Sequence, residues 1–141
     1  MLRRVAPAFM TIAVMLFVAN CSSDSNPTDS GGTGDETPSF AADILPILTT
    51  SCAKSPCHDE TASAGLRLTS AVAYSNLVDV ISSEDNSKKR IDPGDAQNSY
   101  LIMKLEGRQT VGERMPRGEA ALPSSQIQLI RTWIDDGAPN N

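Results

Sequence analysis

Residues 51–60 read SCAKSPCHDE. Four residues separate Cys52 from Cys57, and His58 follows the second cysteine directly. The common signature of covalent haem attachment, C-x-x-C-H, has only two residues between its cysteines. Two thiols can form thioethers with the two haem vinyl groups, and an adjacent imidazole can bind the iron. A disulfide beside a histidine without a role explains this stretch, taken alone, equally well.

The remaining ligand residues favour haem over the disulfide. His58 is the only histidine of the chain, which excludes ligation by two histidines of this chain. Beyond the amino-terminal apolar run, the only methionines are Met103 and Met115. We expect Met103, in a helical stretch, to fill the core. Met115 precedes Pro116 in a loop rich in Gly and Arg, so we predict that it is the second axial ligand.

The amino terminus has the pattern of an export signal. Arg3 and Arg4 precede an apolar run at residues 8–19, which is short for a transmembrane helix, and Cys21 follows. A cysteine at this place resembles the lipid attachment site of bacterial lipoproteins. We therefore predict a lipoprotein-type signal peptide at residues 1–20. An ordinary signal cut elsewhere and an uncleaved anchor are the alternatives.

A polar segment separates the signal from the rest of the chain. Residues 22–38 contain no aliphatic or aromatic side chain, so they cannot bury enough surface to offset the entropy cost of ordering. We predict a flexible tether at residues 21–38 and one folded domain at residues 39–141. The expected location is the cell envelope, as a lipoprotein facing the periplasm or the exterior. Ser22 slightly favours the outer membrane.

The charge balance limits the partners. The net charge is −5, and it becomes more negative once the signal arginines are removed. Nucleic acid is therefore not an expected partner, because phosphate contacts need a basic face. Lys88, Lys89 and Arg90 form the densest basic run, and we interpret them chiefly as a solvated surface patch. Pairing with haem propionates or with a redox partner is the weaker alternative. Export to an oxidising compartment is compatible with either a disulfide or thioethers at Cys52 and Cys57.

Hydrophobic periodicity predicts a small all-α domain. Apolar side chains recur at helical spacing in four segments, and no segment alternates as a strand does. Ser39, Ser70 and Ser124 are predicted N-caps. Pro46 should kink or restart the first helix, and Gly137 should follow the end of the last one. The predicted architecture has three to five helices with few aromatic side chains, a thin core that a large apolar cofactor would fill.

Taken in order, several stretches of the chain are similar to one family. They are FAADILPIL, SCAKSPCH, GLRL, IDPGDAQNSYLIMKL, RMP and LPSSQIQLIRTWIDDGA. Together they resemble class I-type cytochrome c, and more closely the planctomycete-type cytochrome c domains of exported bacterial proteins. The resemblance implies covalently bound haem c attached through Cys52 and Cys57, with His58 as proximal and Met115 as distal ligand. It also implies that the first and last helices cross, which places Phe40 near Trp133.

The resemblance implies a function in electron transfer. We expect a membrane-tethered monohaem cytochrome that carries single electrons between redox donor and acceptor proteins by Fe(II)/Fe(III) cycling, rather than an enzyme with its own substrate. Two alternatives stay open. One is a haem c peroxidase or gas sensor with an open sixth site. The other is a haem-free lipoprotein binding module with a Cys52–Cys57 disulfide.

Overall fold

The computed structural model describes residues 37–141, and among these residues it is helical with no strand. Its elements are a π-helical turn (Phe40–Ile44), α1 (Leu45–Ser51), a 3₁₀ turn (Ser63–Gly65), α2 (Ala73–Leu77), α3 (Tyr100–Glu106) and α4 (Ser124–Asp135). The all-α class is therefore confirmed for the part of the chain described. The predicted signal peptide, the lipid site at Cys21 and all but the last two residues of the tether lie outside it.

The first helical segment forms as its sequence predicts. Ser39 is the N-cap, and its Oγ accepts a hydrogen bond from the N–H of Ala42 at 3.2 Å. The π-helical turn then gives way to α1, where Pro46 occupies the second position. Proline is tolerated there because the first turn of a helix needs no backbone donor. The predicted restart at this proline is confirmed.

Two of the predicted N-caps are wrong. Ser70 lies before α2, which begins later, after Val72, and has no side-chain cap bond. Ser124 is the first residue of α4 itself, and Pro123 takes the cap position with φ −51° and ψ 141°. The proline ring fixes φ near this value, so Pro123 readily adopts the non-helical backbone conformation of an N-cap. At the other end of α4, Gly137 has φ +95°, as its predicted position after the helix requires.

An aromatic cluster joins the beginning of the domain to its end. The ring of Phe40 lies 5.4 Å from that of Trp133 and 5.1 Å from that of Tyr74. The expected contact between the first and last helices is thus confirmed. Trp133 Nε1 donates to the carbonyl of Pro139 at 3.0 Å, and the Tyr74 hydroxyl donates to that of Ala138 at 2.8 Å. The same buried cluster includes Ile44, Leu48, Leu77, Ile102, Ile130 and Ile134.

The segment between α2 and α3 folds back on itself. Val78 pairs with Ile91 in parallel, and Ile81 pairs with Lys89 in antiparallel orientation, each as an isolated bridge. The fold-back directs Arg90 towards the segment that follows the cysteine motif, where it reaches Gly65. No helix among residues 37–141 is long and apolar enough to cross a bilayer.

Trp133→Ala should destabilise the domain strongly. The side chain is fully buried, and replacing a buried tryptophan by alanine costs roughly 3–5 kcal/mol. The measurement is the change in the denaturant midpoint of unfolding. Ile81→Ala is the control, because Ile81 is 53% exposed. Its effect should stay within about 0.5 kcal/mol. Equal effects of the two substitutions would contradict this description of the core.

Candidate functional site

A cleft of about 510 Å³ brings together all four predicted site residues of the domain, Cys52, Cys57, His58 and Met115. Its volume lies within the range of roughly 300–1,000 Å³ that is usual for small-molecule and cofactor sites. The apolar part of its wall includes Leu66, Leu68, Leu77, Leu101 and Leu105. The cleft thus combines an apolar lining with two thiols, an imidazole and a thioether.

The long spacing between the cysteines is accommodated by a compact loop. The N–H of Cys52 donates to the carbonyl of Leu48 at 2.9 Å, which places this cysteine at the end of α1. Its own carbonyl accepts from the N–H of His58 at 3.2 Å. Within the loop, the N–H of Cys57 donates to the carbonyl of Lys54 at 2.6 Å. The two extra residues therefore leave both cysteines on one cleft.

The two cysteines differ in their surroundings. Both are free thiols in the structure, with Cys57 exposed and Cys52 half-buried. Burial raises the pKa of Cys52 to about 11, against a smaller opposing effect of the nearby ammonium group of Lys54. Cys52 therefore remains a neutral thiol at physiological pH, and it is one of the residues that line the cleft.

The imidazole of His58 is fixed in one tautomer. Its Nδ1 lies 3.0 Å from the carbonyl oxygen of Leu66. A carbonyl oxygen can only accept, so in the neutral imidazole Nδ1 carries the proton and Nε2 keeps a free lone pair. The same segment is held from its other side, since the N–H of Leu68 donates to the carbonyl of His58 at 2.7 Å. A hydrogen bond of this kind orients a histidine for binding a metal through its second nitrogen.

The loop that bears Met115 is fastened to α3. The N–H of Met115 donates to the carbonyl of Lys104 at 2.9 Å, and the Tyr100 hydroxyl donates to the carbonyl of Val111 at 2.8 Å. Met103 lies in α3 but does not line the cleft. It is only half-buried, so the expectation that it fills the core is wrong. Of the two candidate methionines, the structure brings only Met115 to the cleft.

The charges that line the cleft are unequally matched. Three cations each contact a glutamate: Lys54 with Glu119 at 3.1 Å, Lys104 with Glu84 at 2.5 Å, and Arg117 with Glu113 at 2.7 Å. The fourth, Arg90, has no carboxylate partner among residues 37–141. Its guanidinium donates to the carbonyls of Asn76 at 2.8 Å and Gly65 at 3.3 Å. Burial lowers the pKa of Arg90, as expected for a cation without a counter-ion.

For Arg90 the solvated patch was the favoured interpretation, and pairing with a haem propionate or a redox partner was the weaker alternative. Its neighbours Lys88 and Lys89 conform to the predicted surface patch, and Lys89 pairs with Asp79 at 2.7 Å. Arg90 itself turns inward to the cleft, so the interpretation of the whole run as solvated is wrong at this position. The basic run gives no signal of this difference, because the inward turn depends on how the segment after α2 folds back.

The donor groups of the cleft are spread rather than clustered. Within residues 37–141, no three His, Cys, Asp or Glu side chains lie close enough to hold a metal ion. Cys52, Cys57 and His58 therefore line one cleft without forming a chelate for a bare ion. Comparison of the chain with protein-family models, curated proteins and solved structures finds no match.

Proposed function

We propose that this protein is a monohaem c-type cytochrome that carries single electrons. The observation that supports it best is the hydrogen bond from His58 Nδ1 to Leu66, which leaves Nε2 free to bind iron in the cleft. In the proposal His58 and Met115 are the axial ligands, and Cys52 and Cys57 form thioethers with the vinyl groups. Bound haem would supply the Fe(II)/Fe(III) couple.

The residues of the cleft fit this cofactor in three respects. A wide planar group suits donors that line one cleft without converging on a point. The apolar wall suits a porphyrin, which is a large apolar group with two carboxylates. Arg90 provides a partly buried guanidinium that lacks a carboxylate partner in residues 37–141, and a haem propionate is a carboxylate of the kind that guanidinium binds well.

The protein's own part is to hold the ligands and limit access. The bonds from α3 to the loop around Met115 restrain a thioether sulfur at the cleft. Ligation by histidine and methionine raises the reduction potential, which suits an electron carrier. A loosely held Met115 would instead leave the sixth site open, as in the peroxidase or gas-sensor alternative.

Potentiometric titration followed by absorption spectroscopy tests this function. We expect a reversible one-electron couple, and a ferric form that binds added cyanide only slowly. Rapid cyanide binding together with peroxide-dependent oxidation of a dye would favour the alternative with an open sixth site. A protein that contains no haem after expression with a cytochrome c maturation system would refute both and leave the disulfide-containing binding module.

The role of Arg90 gives a further prediction. In a full-length chain with both cysteines changed to alanine, haem binds without a covalent bond and can be compared with haem dimethyl ester, which lacks the carboxylates. Haem should bind about tenfold more tightly, because a hydrogen bond to a charged group contributes roughly 1.5–3 kcal/mol. Arg90→Leu should abolish this preference while leaving binding of the ester unchanged.

Two controls make the comparison specific. Arg90→Lys keeps the charge and should retain part of the preference. Arg67→Leu removes an arginine that pairs with Glu60 at 3.3 Å and does not line the cleft, so it should retain all of it. If Arg90 has only a structural role, Arg90→Leu should weaken the binding of haem and of the ester equally.

We also propose that the protein lies in the cell envelope, attached to a membrane by a lipid on Cys21 and joined to it by the polar tether. The pattern that supports it is the apolar run that ends at this cysteine. We expect radiolabelled palmitate to be incorporated into the full-length chain, and Cys21→Ser to abolish the incorporation. Equal labelling of both chains would exclude lipid attachment at this residue.

A further inference from the structure

An ion pair between Lys104 and Glu84 lies in the wall of the cleft. Lys104 of α3 has a side chain that is only 7% exposed, and its Nζ lies 2.5 Å from Glu84 Oε2, whose side chain is 30% exposed. The ammonium makes no hydrogen bond of acceptable geometry among residues 37–141. The contact is therefore chiefly a Coulombic one, between an almost fully buried ammonium and a partly exposed carboxylate.

The neighbouring residues cover the ammonium group of Lys104. The ring of Tyr100 lies 5.4 Å from Lys104 Nζ. Gly112 packs closely against both members of the pair. A Cβ at this residue would lie 2.6 Å from Lys104 Nζ and 2.9 Å from Glu84 Oε1. Gly112 also has φ +70°, so both its space and its backbone require glycine. Burial, and then the charge of Glu84, raise the pKa of Tyr100.

We propose that the Glu84–Lys104 pair tunes the reduction potential of the group bound in the cleft. The inference rests on the proposed haem function. Reduction lowers the charge of the bound group by one unit, so a nearby cation favours the reduced form and a nearby anion the oxidised form. Charges interact strongly where the effective dielectric constant is low. Lys104 therefore raises the potential, and Glu84 partly cancels that effect.

An exposed pair on the same cleft provides the matched comparison. Arg117 and Glu113 also line the cleft and lie 2.7 Å apart, but their side chains are 70% and 61% exposed. Water and salt screen such charges. If burial is what gives the Glu84–Lys104 pair its influence, single substitutions in the Arg117–Glu113 pair should change the potential much less.

The experiment measures the midpoint potential of the full-length haem protein and its variants at pH 7. Glu84→Gln should raise the potential and Lys104→Met should lower it, and the potential of the double variant should lie between those of the two single variants. Each single shift should exceed those of Glu113→Gln and Arg117→Gln by at least about twofold, since the exposed pair is screened. The charge-transfer band of methionine-ligated ferric haem should persist in every variant.

Several outcomes would overturn the inference. Shifts in the same direction for the two buried partners, or shifts no larger than those of the exposed pair, would exclude an electrostatic role. Glu84→Gln preserves shape, so its failure to raise the potential would suffice even if Lys104→Met did not fold. If the parent protein has no haem couple at all, the proposed function fails along with this inference. A normal parent couple without these shifts refutes the inference alone.

Discussion

If the protein is the proposed cytochrome, His58→Gly should abolish its low-spin haem spectrum, and added imidazole should restore it. The side chain is the only histidine of the chain, and its Nδ1–H is already bonded to the Leu66 carbonyl. Only Nε2 can therefore bind iron. Removing the imidazole ring leaves space into which free imidazole can diffuse and bind in its place. The measurement is the absorption spectrum of the ferric protein with and without imidazole.

Rescue separates a ligand role from a folding role. If His58 only stabilised the loop, free imidazole would not recover a low-spin spectrum, because it cannot replace the covalent link to the backbone. Glu60→Gln is the control, since this exposed residue lies two positions further along the same loop and does not line the cleft. Its spectrum should match that of the parent. A parent-like spectrum for His58→Gly would contradict the ligand assignment.

Met115→Ala should produce the second large effect, a fall in reduction potential. Replacing the thioether by water or another weak ligand removes the stabilisation that methionine gives to the ferrous state. We expect a decrease on the order of 0.1–0.3 V, within the roughly 0.8 V over which axial ligands set haem potentials. Potentiometric titration measures this change, and loss of the methionine charge-transfer band should accompany it.

Met103→Ala is the matched control for this substitution. Met103 is half-buried in α3 and lies outside the cleft lining, although it is only twelve residues from Met115 in the sequence. Its potential and spectrum should be those of the parent. If Met115→Ala leaves both unchanged, the sixth ligand is another group or none. The peroxidase or gas-sensor alternative would then be favoured over electron transfer.

The helical character of the domain was predictable because its signals are local. Ser39 caps a helix three residues from its partner N–H, and Pro46 acts on the turn in which it lies. The contact of Phe40 with Trp133 is not local, and it was expected only from the resemblance. The predicted caps at Ser70 and Ser124 were wrong, because a serine caps a helix only when it lies directly before the first helical residue. The residue in that position is Val72 for α2 and Pro123 for α4.

The site was predictable in its residues but not in its geometry. Cys52, Cys57, His58 and Met115 could be chosen from their chemistry and from how few alternatives the chain offers. The hydrogen-bond acceptor of His58 could not be predicted, because Leu66 lies eight residues away across an irregular turn. The inward position of Arg90 could not be predicted for a similar reason, since its contacts with Asn76 in α2 and Gly65 in the 3₁₀ turn join segments far apart in the sequence.

The longer spacing of the cysteine motif is also explained only by the structure. The sequence shows two extra residues and leaves open how both thiols could serve one haem. The hydrogen bond from the N–H of His58 to the carbonyl of Cys52, at 3.2 Å, closes the extra length into a loop. Both sulfurs can then belong to one cleft. The number of thioethers formed becomes a question for direct measurement.

Trypsin digestion of the full-length protein, expressed with a cytochrome c maturation system, tests the central claim most directly. Trypsin cuts after Lys54, which is exposed and lies between Cys52 and Cys57. If both thioethers form, the fragments on either side of Lys54 should stay joined through one haem under denaturing conditions, as mass spectrometry and haem absorbance would show. Two separate fragments, neither of which carries haem, would contradict the proposal that this protein is a c-type cytochrome.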